Sequence, residues 1–170
     1  MTTHWNPAQY NQFKDQRAKP FYDLLALIQP AQFSNAVDLG CGTGELTRAL
    51  FNSLHPAYMI GIDSSAEMLA KSNAWKTDGL SFKQMDIAQY RPDAPVDLLF
   101  SNAALHWLSD HQVLFPALLS GVVAGGQVAI QMPYNFDHPS HTIARDVAIT
   151  LFPDRFDHHQ NVSGTLAPEQ

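Results

Sequence analysis

Ala36-Val37-Asp38-Leu39-Gly40-Cys41-Gly42-Thr43-Gly44, running on into Glu45-Leu46-Thr47-Arg48-Ala49-Leu50, decides the fold. A short apolar run closes on an acid, Asp38. Glycines follow at alternate positions, 40, 42 and 44, and a helical pattern then opens. This reads as a strand, a tight loop and a helix N-terminus. Glycine lets the loop backbone come close to a ligand, and loop N–H groups together with the helix dipole can face it.

The spacing narrows the ligand. A dinucleotide fingerprint needs Gly-x-Gly-x-x-Gly or Ala. Gly40 and Gly42 fill the first two places, but the third falls on Glu45, whose carboxylate repels a pyrophosphate. A ligand without phosphates, zwitterionic at one end and cationic at sulfur, suits the loop better, and S-adenosylmethionine is such a molecule. A second acid stands at the right distance. Tyr58-Met59-Ile60-Gly61-Ile62-Asp63 reads as the next strand, and an acid about 20 residues past the glycine turn takes ribose hydroxyls.

The chain as a whole bounds the class. Its 170 residues make one domain with room for a core. Ten basic against 16 acidic residues give a net charge of −6, with no basic run, which argues against nucleic acid or an anionic membrane as partner. The single cysteine, Cys41, forms no internal disulfide, and no spacing suggests a metal site. No signal pattern opens the chain and no apolar stretch reaches membrane length, so a cytoplasmic protein is expected.

Outward from the glycine loop, strands are expected at about 36–40, 58–63, 80–85, 96–102 and 126–132, with Gly125-Gly126 as the turn into the last. Helices fall at about 44–54, 65–74 and 110–121, and another at 140–152 closed by Pro153. Two helices precede them, at 7–19, stopped or kinked by Pro20, and at 21–29. Strands alternating with helices imply an α/β, Rossmann-like doubly wound parallel sheet. In such sheets the ligand lies at the C-terminal strand ends. Gly40, Asp63, Asp86 and Asn102 each stand at one. The ordinary reading of any one of them is a turn or cap residue.

The pattern resembles the class I S-adenosylmethionine-dependent methyltransferases through Asp38-Leu39-Gly40-Cys41-Gly42-Thr43-Gly44. Within them it is similar to the trans-aconitate methyltransferase family. The likeness lies in Trp5-Asn6-Pro7-Ala8-Gln9-Tyr10 with Phe13, Arg17 and Pro20, in Gly61-Ile62-Asp63-Ser64-Ser65, in Met68-Leu69-Ala70, in Ser101-Asn102-Ala103-Ala104-Leu105-His106-Trp107, and in Gln131-Met132-Pro133-Tyr134-Asn135. His106 departs from it, since the family more often has glutamine there. Length departs further: the family continues for roughly half as much again, with two more strands, so the resemblance implies a chain short of its last strands. On that reading 1–152 is the cofactor-binding core, 1–29 is part of the cofactor lid, and 153–170 is a polar tail or the start of a missing portion. An uncovered sheet edge then invites self-association.

The resemblance implies methyl transfer to a carboxylate of a small polycarboxylic acid. A carboxylate is already ionised at neutral pH, so no general base is required and no catalytic residue is assigned. Arg17, with Tyr10 beside it, is expected at the cofactor's carboxylate. Asp63 then takes the ribose hydroxyls, Met68 and Ile87 sandwich the adenine, and Asp86 holds its amino group. Asp38, Gly40, Cys41, Gly42, Ser64 and Asn102 are the further cofactor-binding candidates. His106, His141 and Arg145 are candidate acceptor contacts. No metal is expected: His138 and His141 lack a third ligand. Two other readings stay open, a different acceptor such as a malonyl-thioester and a cofactor-binding module without turnover.

Overall fold

In the computed structural model, residues 14–134 and 138–156 are described, apart from the side chains of 14–17 and 141. Five parallel strands form one sheet in the order β3-β2-β1-β4-β5. They are β1 (Asn35–Leu39), β2 (Tyr58–Asp63), β3 (Leu80–Gln84), β4 (Val96–Asn102) and β5 (Val122–Gln131). The helices are α1 (Lys14–Leu25), α2 (Glu45–Leu54), α3 (Ala66–Ser72), α4 (His111–Leu119), α5 (Pro139–Leu151) and α6 (Pro153–Phe156). The order reverses after β3, so β1 and β4 stand side by side across the switch point where such sheets bind ligands.

Each face of the sheet carries its own core. Ala36, Met59, Leu98, Phe100 and Ala129 pack with Phe21, Leu24 and Leu50 beneath α1 and α2. Val37, Leu39, Ile62 and Leu99 face the other way, toward Leu105, Leu114 and Leu118. Strands buried on both faces read as continuous apolar runs, which is why β1 and β4 are so plain in the sequence.

Three sequence expectations need correction. Pro20 does not stop the first helix: α1 runs through it to Leu25, and no second helix follows over 21–29. Phe21 and Leu24 are buried against the sheet, and that burial outweighs the one backbone hydrogen bond Pro20 removes. The segment 7–13 lies outside the described residues. Second, β5 begins at Val122, four positions ahead of the expected 126, and Gly125-Gly126 is not the turn into it. Val96 pairs with Val122 and Leu98 with Gln127, so the glycines sit inside a bulge, where Gly125 takes φ +80°. Third, Pro153 closes α5 but also opens the short α6.

Helix α1 runs antiparallel to the strands. The Gln29 amide N–H bonds the Gln127 side chain at 2.8 Å, while four residues from the helix end Phe21 meets Phe100 edge-on, centroids 5.3 Å apart.

Candidate functional site

Period-two alternation puts one polar residue after another on the α1 face of the C-terminal strand ends. Asp38 shares that face with Ala36, Asp63 with Met59, Asn102 with Phe100, and Gln131 with Ala129. Asp38 is almost wholly buried and accepts a hydrogen bond from Thr47 Oγ1 at 2.6 Å. Burial pushes its pKa up to about 6 despite that bond, with the nearby Asp63 charge adding to the rise.

The glycine loop is closely packed. Gly40, Gly42 and Gly44 have φ of +83°, +54° and +78°. A Cβ on Gly40 would stand 2.1 Å from Ala104 Cβ, and one on Gly44 would stand 2.7 Å from the Phe82 ring. A Cβ on Gly42 meets nothing within 4 Å, so this glycine faces open space. The Gly40 and Cys41 amides both donate to Ile62 O, at 2.8 and 2.9 Å, and the Gly44 amide donates to Cys41 O at 3.0 Å. The Gly42 amide donates to Asp63 Oδ2 at 2.8 Å.

For four loop amides, those of Gly40, Cys41, Gly42 and Gly44, the structure corrects the expectation that they face a ligand, because each is bonded inside the protein. Gly44 is the N-cap of the helix behind, without a side-chain cap, and an acid, Glu45, stands in its first turn. These four amides are not free for a phosphate. The Asp63 carboxylate beside them is an acceptor, which fits a cationic or hydroxyl-bearing ligand. Asp63 carries the same logic further. Gly42 N–H binds one oxygen and Ser65 N–H the other at 2.8 Å, which fixes the carboxylate and leaves each oxygen a further lone pair.

The structure brings most of the expected residues to this end. Ser64 is exposed beside Asp63, and its carbonyl accepts from Gln84 Nε2 at 3.0 Å. Met68 is 43% exposed on α3, and Ile87 is buried under Gly40. Asp86 Oδ1 accepts from Ala88 N–H at 2.9 Å, capping the 3-10 turn Ile87–Gln89. Cys41 is buried and its thiol is pushed well above the ordinary range, first by burial and then by Asp38 and Asp63, so it remains a packing group.

The acceptor candidates fare differently. Burial lowers the His106 pKa, so the ring meets an acceptor as a neutral donor or acceptor rather than as a standing cation. Its neighbour Trp107 is 81% exposed, with ring centroids 4.8 Å apart. Arg145 Nε lies 3.4 Å from Asp146 Oδ1 on an exposed face of α5, which gives it a partner on its own helix. His138 caps α5 through Ser140 N–H. Tyr10 lies outside the described residues, as do the side chains of Arg17 and His141. Sequence reasoning missed two residues: Thr47, which bonds Asp38, and Gln131, which extends the polar row to β5. The parity of Gln131 with Ala129 was the available signal.

The residues 36–126 match a family model described as a methyltransferase domain. The chain belongs to the methyltransferase domain family. It is 45% identical over 152 residues to a trans-aconitate 2-methyltransferase of Klebsiella pneumoniae (strain 342), covering 89% of this chain and 60% of that protein. It is 48% identical over 139 residues to a Deinococcus radiodurans protein of the same name, covering 82% and 53%. A solved S-adenosylmethionine dependent methyltransferase from Mesorhizobium loti superposes with a TM-score of 0.61 at 28% identity, over 68% of this chain and 54% of that one. The five-stranded sheet of this methyltransferase domain is thus the core shared with such enzymes. The chain spans 53–60% of the length of these two curated relatives. No helix among the described residues is long and apolar enough to cross a membrane.

Proposed function

We propose that this methyltransferase domain binds S-adenosylmethionine across the glycine loop and methylates a carboxylate oxygen of a small polycarboxylic acid of the trans-aconitate type. One observation carries the cofactor reading. Four loop amides are taken by protein acceptors, and the fixed Asp63 carboxylate stands beside the open face of Gly42. A carboxylate held there suits ribose hydroxyls and a cation and disfavours a pyrophosphate. The acceptor reading is supported by the names and 45–48% identity of the two relatives.

The cofactor supplies an electrophilic methyl: the carboxylate oxygen forms the new O–C bond while the S–C pair returns to sulfur, leaving a methyl ester and neutral S-adenosylhomocysteine. No proton moves, so the chain's own work is orientation and exclusion of water. Asp63 holds the ribose. The Gly40–Ala104 contact fixes the loop against β4. Met68 and Ile87 line the adenine side.

A second reading, a cofactor-binding module without turnover, is favoured by one observation. Ile143, Val147 and Leu151 form an apolar stripe at helical spacing on α5, each at least half exposed. Incubation with labelled S-adenosylmethionine and trans-aconitate separates the two. Formation of the monomethyl ester supports the enzyme reading, and binding without ester formation supports the module.

A further inference from the structure

The polar groups at the strand ends form a row that follows sheet order. Asp63 stands on β2, the glycine loop after β1, Asn102 on β4 and Gln131 on β5. Adjacent strands are about 4.8 Å apart, so Gln131 lies about 14 Å along the row from Asp63. With its ribose at Asp63, the cofactor's amino-acid end would reach toward the glycine loop after β1, and the end of β5 stands on the far side of that loop from Asp63.

Side-chain atoms at that end lack a partner among the described residues. Asn102 and Gln131 are direct register partners, and their side chains share one face. Ala103 N–H donates to Gln131 O at 2.9 Å, which fixes the backbone of both strand ends. Yet Asn102 Oδ1, Gln131 Oε1 and, in the turn that follows, His106 Nδ1 are buried without a hydrogen bond. Buried polar atoms are almost always satisfied, and an open pair on two register partners, Asn102 and Gln131, marks a place where a partner is to come. All three groups are neutral and adaptable. Each amide, turned about its last bond, presents NH2 in the volume of its oxygen, and the imidazole can carry its proton on Nδ1.

We infer that Gln131, with its register partner Asn102, forms a specificity-determining cradle that holds the acceptor's carboxylate through neutral hydrogen bonds. This rests on the carboxylate methyl-transfer reading above. Neutral donors suit the reaction. An arginine fork on both oxygens would draw off the electron density the attacking oxygen needs. An amide N–H on one oxygen orients the group and leaves the other free.

The test is calorimetric titration of trans-aconitate into the chain saturated with S-adenosylhomocysteine. Gln131→Glu keeps the shape but meets the acceptor with a like charge, and Gln131→Met removes the hydrogen bonds at equal length. Both are expected to weaken trans-aconitate at least tenfold, with S-adenosylhomocysteine affinity unchanged, which also shows that the variants fold. Unaltered trans-aconitate affinity in both variants overturns the inference alone. So does a parallel loss of S-adenosylhomocysteine, which would place Gln131 at the cofactor. A wild-type chain that binds S-adenosylhomocysteine but no trans-aconitate overturns the carboxylate reading and the inference together.

Discussion

The two sides of the site differ in how complete they are. On the β1–β2 side, Asp38 is bonded to Thr47, both Asp63 oxygens are bonded to backbone amides, and the glycine loop is fixed by Ile62 O. On the β4–β5 side, Asn102, Gln131 and His106 each bury an atom without a partner. The first side is built before any ligand arrives. The second keeps polar atoms open among the described residues, where the proposed acceptor would bind. A part of a ligand that never varies is best met by a rigid surface, because rigidity removes ordering cost at binding. Adaptable amides suit the part that differs from one acceptor to another.

The sharpest way to break this comparison is at Gly40. Gly40→Ala sets a Cβ 2.1 Å from Ala104 in a left-handed conformation. The expected cost is about 3 kcal/mol or more, read by denaturant unfolding. Gly42→Ala, equally left-handed but facing open space, should cost only about 1–2 kcal/mol. Equal costs would mean that loop packing does not hold the first side rigid.

Asp63→Ala comes next. It removes the acceptor of two backbone amides and of the proposed ribose hydroxyls, and S-adenosylmethionine binding should weaken by about 1–3 kcal/mol in calorimetry.

Asp38 carries a pH signature. Its pKa is raised in the folded state from 3.8 to about 6. The protonated carboxyl therefore stabilises the fold fully below about pH 4, and that contribution is lost as pH rises through 6. Asp38→Asn keeps an acceptor for Thr47 but does not titrate. The stability of the variant relative to wild type should rise by about 2 kcal/mol between pH 4.5 and 7.5. A flat difference would show that Asp38 is not held in a desolvating site.

The smallest effect sharpens the comparison on its open side. Gln131→Met removes a buried, unpartnered acceptor, so the unliganded chain should gain about 1 kcal/mol in unfolding free energy. A loss of stability would mean that the amide is already satisfied.

Much of the β1–β2 side was legible in the sequence because its signals are local. Gly40 to Gly44 and Asp63 sit in short segments whose spacing carries the chemistry. What the residues could not show was where the loop amides point, because that depends on Ile62 O, a backbone group of the neighbouring strand. Pro20 misled for a related reason: burial of Phe21 and Leu24 against the sheet overrides a local breaker. Gly125-Gly126 looked like a turn, and only the pairing of Val96 with Val122 turns it into a bulge. Gln131 escaped because its meaning comes from Asn102, one strand away.

The most direct test of the central claim is calorimetric titration of the chain with S-adenosylmethionine and, in parallel, with NAD. Saturable one-to-one binding of S-adenosylmethionine, weakened by Asp63→Ala, is expected, and none of NAD, because an acid, Glu45, takes the third place of the dinucleotide fingerprint and four loop amides are already bonded. Binding of NAD, or S-adenosylmethionine affinity indifferent to Asp63, would contradict it.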